Sequence, residues 1–118
     1  DSHNAWFANL TTLSGEKVGV EFAGSSVTSP GFESVGLGAL ASSLDGTAVA
    51  PGVQGTGLGL VDDLNYADTL RRGYLLMTAT TAAVKGEYVF VDTIKSKTYT
   101  ATTGKTVTVA ASGAVTYG

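Results

Sequence analysis

Strands dominate the fold that this sequence predicts, an α+β chain with one or two short helices. Three observations carry that expectation. Val18, Val20 and Phe22 alternate with Gly19, Glu21 and Ala23, the period of two that marks a strand with one apolar face. Residues 72–80 and 87–93 show the same alternation. Thr, Val, Ala and Ser dominate the second half of the chain, a composition that favours strands over helices.

Taken in order, residues 1–4 are polar, and Ala5, Trp6, Phe7, Ala8 and Leu10 follow at once. Thr11-Thr12-Leu13-Ser14-Gly15 reads as a turn into the strand at 18–22. That strand ends in Gly24-Ser25-Ser26, with a second break at Ser29-Pro30-Gly31. Residues 35–44 suggest a short helix with Leu37, Leu40 and Leu44 on one side, weakened by Gly36 and Gly38. Residues 45–59 carry glycine at 46, 52, 55, 57 and 59, a long loop of the kind that is functional, covered or disordered. In the strand at 72–80, Tyr74, Leu76 and Thr78 share one face and Leu75, Met77 and Ala79 the other, which suggests burial on both sides. Lys85-Gly86 marks a break, and 87–93 pairs antiparallel with 72–80 through a turn region at 81–86. Thr103-Gly104 is a further turn. Val107 and Val109 alternate with Thr106 and Thr108 in a last strand, and Ser112-Gly113 and Tyr117 close a hairpin. The strands at 18–22, 72–80 and 87–93 are expected to share one apolar core.

The chain of 118 residues is a single segment, 1–118, with material for one small domain. Hydrophobic residues at 43% and charged residues at 14% fit a packed chain and not a disordered one. A net charge of -3 argues against a nucleic-acid-binding face. Cysteine is absent, which excludes disulfides, thiolate metal sites and a cysteine nucleophile. No apolar run approaches the roughly 20 residues of a membrane span, and residues 1–4 do not open a signal peptide.

Asp1-Ser2-His3 is the constellation with metal-ligand potential. In an extended segment, residues two apart point the same way, so a carboxylate and an imidazole face one shared site. Carboxylate oxygen suits a hard cation, and imidazole suits iron or zinc. A single Asp-x-His has low specificity, and the plain alternative is a polar terminus. Ser25, Ser26, Thr28 and Ser29 are placed to reach phosphate, although such hydroxyl clusters are more often turn chemistry. Gly55, Gly57 and Gly59 lack the spacing and the Lys-Ser/Thr of phosphate-cradling loops. Of Arg71 and Arg72, one reads as a solvated strand-edge charge and the other as a structural ion pair. Asp62 and Asp63 are adjacent and diverge, as in a loop or a helix start. Trp6, Phe7, Tyr74, Tyr88 and Phe90 are core or packing residues.

Asp1-Ser2-His3-Asn4-Ala5-Trp6 resembles the last metal-binding motif of the PhoD-like alkaline phosphatases, where a strand ends in Gly-Asp-x-His before a small residue and tryptophan. The resemblance continues through Gly19-Val20-Glu21-Phe22 and Val27-Thr28-Ser29-Pro30-Gly31-Phe32-Glu33. It resumes at Arg71-Arg72-Gly73-Tyr74, at Glu87-Tyr88-Val89-Phe90-Val91-Asp92-Thr93 and over 98–105. These blocks are collinear over nearly the whole chain. The resemblance implies the C-terminal part of a two-sheet metallophosphatase αβ sandwich, of the calcineurin-like superfamily, with a dinuclear metal site at its rim. It implies Asp1 and His3 as the ligands of the two metals, an iron and a calcium ion. It further implies metal-assisted hydrolysis of phosphate monoesters and diesters, and export to the periplasm, cell surface or medium.

The motifs that hold the family's other ligands, and the glycine before the Asp, have no counterpart in this sequence. Two ligands do not hold a dinuclear site. The expectation is therefore a portion of a phosphatase, inactive alone, whose partner is the remainder of that polypeptide. The alternative is a non-catalytic, secreted β-rich binding or structural module. The Thr/Val/Gly-rich second half and the single histidine support it.

Overall fold

The structure, a computed structural model, describes residues 3–40 and 61–118. Among these, β1 (Ala5–Thr11), β2 (Lys17–Ala23) and β3 (Leu64–Asp68) form an antiparallel sheet in the order β2-β1-β3. β4 (Arg72–Ala79), β5 (Ala83–Val91), β6 (Ala101–Ala110) and β7 (Val115–Tyr117) form a second antiparallel sheet in chain order.

Register explains how the core forms. Phe7 on β1 stands opposite Phe22 on β2 and Tyr66 on β3, which aligns three rings on one face. In the second sheet Leu75 faces Tyr88 across the ladder, and Gly86 faces Val107. The two inner faces meet in a core of Ala5, Phe7, Tyr66, Tyr88, Phe90 and Val107, with Val20, Phe22, Leu75, Val109 and Val115 packed against it. Ring centroids lie 4.8 Å apart for Phe7 and Phe22 and 5.0 Å apart for Tyr66 and Tyr88, tilted as aromatic quadrupoles prefer. The Tyr88 hydroxyl donates to the Trp6 carbonyl at 2.6 Å and so stitches the sheets together. Burial pushes the Tyr88 phenol well above its ordinary range, with smaller contributions from Tyr66 and Glu21.

The strands expected at 18–22, 72–80 and 87–93 are present and share this core. Four expectations need correction. β4 is not buried on both faces. Among the described residues it is an edge strand paired with β5 alone, and Tyr74, Leu76 and Met77 are exposed. Gly86 and Gly104 do not break the chain, because β5 and β6 run through them. A Cβ would stand 2.6 Å from the Phe22 ring at Gly86 and 2.7 Å from the Phe90 ring at Gly104, so both glycines make room for core aromatics. The turn before β5 lies earlier and is tighter, where the Thr80 N–H donates to the Ala83 carbonyl at 2.9 Å. The helix expected at 35–44 is replaced, as far as residue 40, by 3₁₀ turns at Phe32–Val35 and Gly38–Leu40. Gly36 adopts φ 80°, left-handed backbone that ends the first turn. Residues 41–44, the 45–59 loop and Gly55, Gly57 and Gly59 lie outside the described residues. The hairpin at 112–117 is as expected, with Gly113 at φ 86° between β6 and β7.

Candidate functional site

The polar residues gather at one corner of the sandwich, where the chain enters β1, leaves β2 and passes from β3 to β4. His3 lies just before β1 with its side chain exposed, and Asn4 beside it is buried. Both are tied to the segment after β2. The His3 N–H donates to the Pro30 carbonyl at 3.4 Å, and Asn4 Oδ1 accepts from the Phe32 N–H at 3.1 Å. The fit is close. A Cβ at Gly31 would stand 2.7 Å from each of His3 O, Asn4 Oδ1 and Glu33 Oε2.

That segment is held in turn by β4. Arg72 Nη1 donates to the carbonyls of Thr28 at 3.1 Å and Ser29 at 2.6 Å. Its Nη2 donates to Glu33, whose Oε1 also accepts from the Gly31 N–H at 3.3 Å. Asp68, at the end of β3, accepts from the N–H groups of Leu70 and Arg71 at 3.1 and 2.8 Å and pairs with Arg71 Nε at 2.6 Å. The Arg71 guanidinium also lies 3.9 Å from the centre of the Phe90 ring. Thr69 donates to the Gly38 carbonyl at 2.8 Å. A cleft of about 570 Å³ opens beside these groups, lined by Glu33, Arg71, Arg72, Asp92 and Lys95 among others.

Of the residues singled out in the sequence, Asp1 lies outside the described residues, and His3 stands at this corner. Arg72 is the structural ion pair expected of one of them, and Arg71, although 45% exposed, is ion-paired as well. Ser26 is turn chemistry, its Oγ accepting from the N–H groups of Thr28 and Ser29 at 3.2 and 2.9 Å. Asp63 lies in the loop before β3 and accepts from Thr11 Oγ1 at 2.7 Å, away from the corner. Asn4, Glu33 and Asp68 organise the site and carried no signal of their own. The spacing of Asp68 and Arg71, three apart across a turn, is the one local hint.

Among the described residues no three His, Cys, Asp or Glu side chains cluster in a way that would hold a metal ion. His3 offers one imidazole. Asn4 Oδ1 is engaged by Phe32, and its Nδ2 is a buried donor without a hydrogen-bond partner among the described residues, so Asn4 suits an oxygen acceptor and not a cation. The described residues therefore fit one ligand of a metal centre and do not make the centre. No helix among them is long and apolar enough to cross a membrane.

No protein-family model and no curated protein matches the chain. A solved structure described as the structure of PhoD does, with a TM-score of 0.66 at 20% identity, over 99% of this chain and 20% of that one. The likeness extends to the whole of this chain and bears out, at the level of fold, the resemblance read from the sequence. The chain spans about a fifth of the length of the PhoD chain it matches.

Proposed function

We propose that this chain is the C-terminal portion of a PhoD-like, metal-dependent phosphoric ester hydrolase, that it contributes core strands and the last metal-ligand pair, Asp1 and His3, and that it is inactive alone. The observation that supports this reading is the likeness to the PhoD fold over 99% of the chain, with His3 at a polar corner. When bound, an iron and a calcium ion would supply Lewis-acid polarisation of the phosphate and an acidified water. The chain's own residues do the placing. Asn4 is buried and fixes the backbone next to His3, which is itself an exposed residue. The remaining ligands, the phosphate mono- or diester and the export route belong to the complete polypeptide, which is the partner of this segment.

In that complete polypeptide, His3→Ala is expected to lower turnover by at least the roughly 10–100-fold seen when groups supporting a metal ligand are lost, with thermal unfolding unchanged. Near-normal turnover, or outright unfolding, would show that His3 is not a ligand. The isolated chain is expected not to turn over a chromogenic phosphate ester. Chelator-sensitive turnover by it would overturn the reading.

The second reading, a non-catalytic β-rich module, draws on the core that the two sheets form between them. Metal titration separates the two. A phosphatase portion binds metal weakly alone and more tightly with the rest of the polypeptide, whereas a binding module ignores metal and folds unaided.

A further inference from the structure

The segment behind His3 hangs on the arginine that opens β4. We propose that Arg72 is the positioning residue for His3. Its guanidinium clamps the 28–33 segment, and that segment holds His3 and Asn4 in place, so Arg72 sets where the imidazole is presented. The inference rests on the reading of His3 as a metal ligand for its functional meaning, but the positioning itself stands on geometry.

Three acceptors converge on this one side chain: the Thr28 and Ser29 carbonyls on Nη1 and the Glu33 carboxylate on Nη2. The Arg72 and Glu33 side chains are 19% and 21% exposed, so the pair is largely shielded from water. Glu33 passes the constraint to the Gly31 N–H. That same peptide group and the next one reach the strand entrance, with the Pro30 carbonyl accepting from the His3 N–H and the Phe32 N–H donating to Asn4 Oδ1. Gly31 admits no side chain between them, which leaves this contact no slack. A planar guanidinium spans such divergent acceptors at once. A lysine ammonium has the charge but not the fork, and reaches only part of the set. Arg71, one residue earlier, is taken up by Asp68 and the Phe90 ring and cannot substitute.

The test uses Arg72→Gln and Arg72→Lys in the complete polypeptide, read by amide hydrogen exchange without added metal and by retention of metal during dialysis against a weak chelator. Arg72→Gln is expected to speed exchange at Phe32 on the order of tenfold, as the loss of a charge-assisted tie should, with Tyr88 and Val107 unchanged. It is also expected to lower metal retention, and Arg72→Lys to restore both in part. Unchanged exchange at Phe32, or acceleration spread evenly over β5 and β6, overturns the proposal. If exchange at Phe32 rises while neither Arg72→Gln nor His3→Ala alters metal retention, the positioning stands and the ligand role of His3 falls. Should Arg72→Gln not fold, Gly31→Ala opens the same contact from the other side. It is expected to speed exchange at Phe32 and lower metal retention, and no change in either would overturn the proposal.

Discussion

The interior of the sandwich and its polar corner are built on opposite principles. The interior is held by apolar area, with Phe7 and Val107 fully shielded and Tyr88 nearly so, and neighbours interchangeable as long as volume is kept. The corner is held by directed bonds. Asn4, Glu33, Asp68 and Arg72 each meet specific backbone groups, and few of those contacts bury much apolar surface. The difference teaches that stability and site geometry are separable here. A change in the interior should unfold the chain, and a change at the corner should displace His3 and leave the sheets intact.

The largest test of that separation is Phe7→Ala. Phe7 is 0% exposed and sits between Phe22 and Tyr66 in its sheet. Truncating a buried Phe costs about 3–5 kcal/mol through lost transfer energy and the cavity left behind. Urea unfolding should show a loss of that size, a large part of the 5–15 kcal/mol that is typical of native domains. A loss below about 1 kcal/mol would mean that the interior is not what holds the two sheets together.

An intermediate effect is expected at Tyr88, where the two principles meet in one side chain. Its ring is buried, and its hydroxyl donates to the Trp6 carbonyl. Tyr88→Phe removes the donor and leaves that carbonyl short of a partner, at a cost of about 0.5–1.5 kcal/mol. The same hydroxyl gives a pH signature. The folded-state pKa is raised above the unfolded value, so the contribution of Tyr88 is complete below the ordinary tyrosine pKa of about 10 and is lost as pH rises above it. In that window the unfolded chain releases a proton that the folded chain keeps, and stability falls by about 1.4 kcal/mol per pH unit. Denaturant midpoints measured from pH 8 to 11 should drop more steeply for the parent chain than for Tyr88→Phe. Parallel curves would remove Tyr88 from the account of alkaline unfolding.

The contrast also explains what could be read from the sequence. Period-two patterns are local, and so β2, β4, β5 and the closing hairpin were legible. β1 was not marked as a strand, because Trp6 and Phe7 are successive aromatics that go to opposite faces and blur the alternation. Gly86 and Gly104 look like breaks in the sequence, because glycine has the same letter whether it turns the chain or makes way for a packed ring, from the facing sheet at Gly86 and from the neighbouring strand at Gly104. The burial of β4 was overestimated for a related reason, since apolar residues on an edge strand look the same in sequence as those on a central one. At the corner His3, the turn hydroxyl of Ser26 and an ion-paired arginine are legible, but not the partners that join them. The bonds that place His3 join residues 28 and 39 positions apart, from Asn4 to Phe32 and from Glu33 to Arg72. No periodicity records such pairs.

The smallest effect is expected on the open face of the second sheet, at the Lys85–Glu87 pair. Its nitrogen and oxygen are 2.9 Å apart, as close as in many strong ion pairs. Distance alone would rank it with the corner, but its surroundings do not. The two side chains project from the outward face of β5, 41% and 24% exposed. Water and salt compete for both charges there, and each long side chain gives up rotamer freedom to hold the contact. Lys85→Met keeps the aliphatic stem over the sheet and removes only the charge. The expected loss is about 0.2–1 kcal/mol at low salt, shrinking further as salt is raised. The corner pair should behave differently, because Arg72 is shielded and bonded to two carbonyls as well as to Glu33. Comparing the salt dependence of Lys85→Met with that of Arg72→Lys therefore asks whether shielding and shared backbone partners, and not the ion pair as such, make the corner rigid. Equal losses and equal salt slopes for the two variants would show that the corner is an ordinary surface contact and would erase the distinction drawn between it and the rest of the surface.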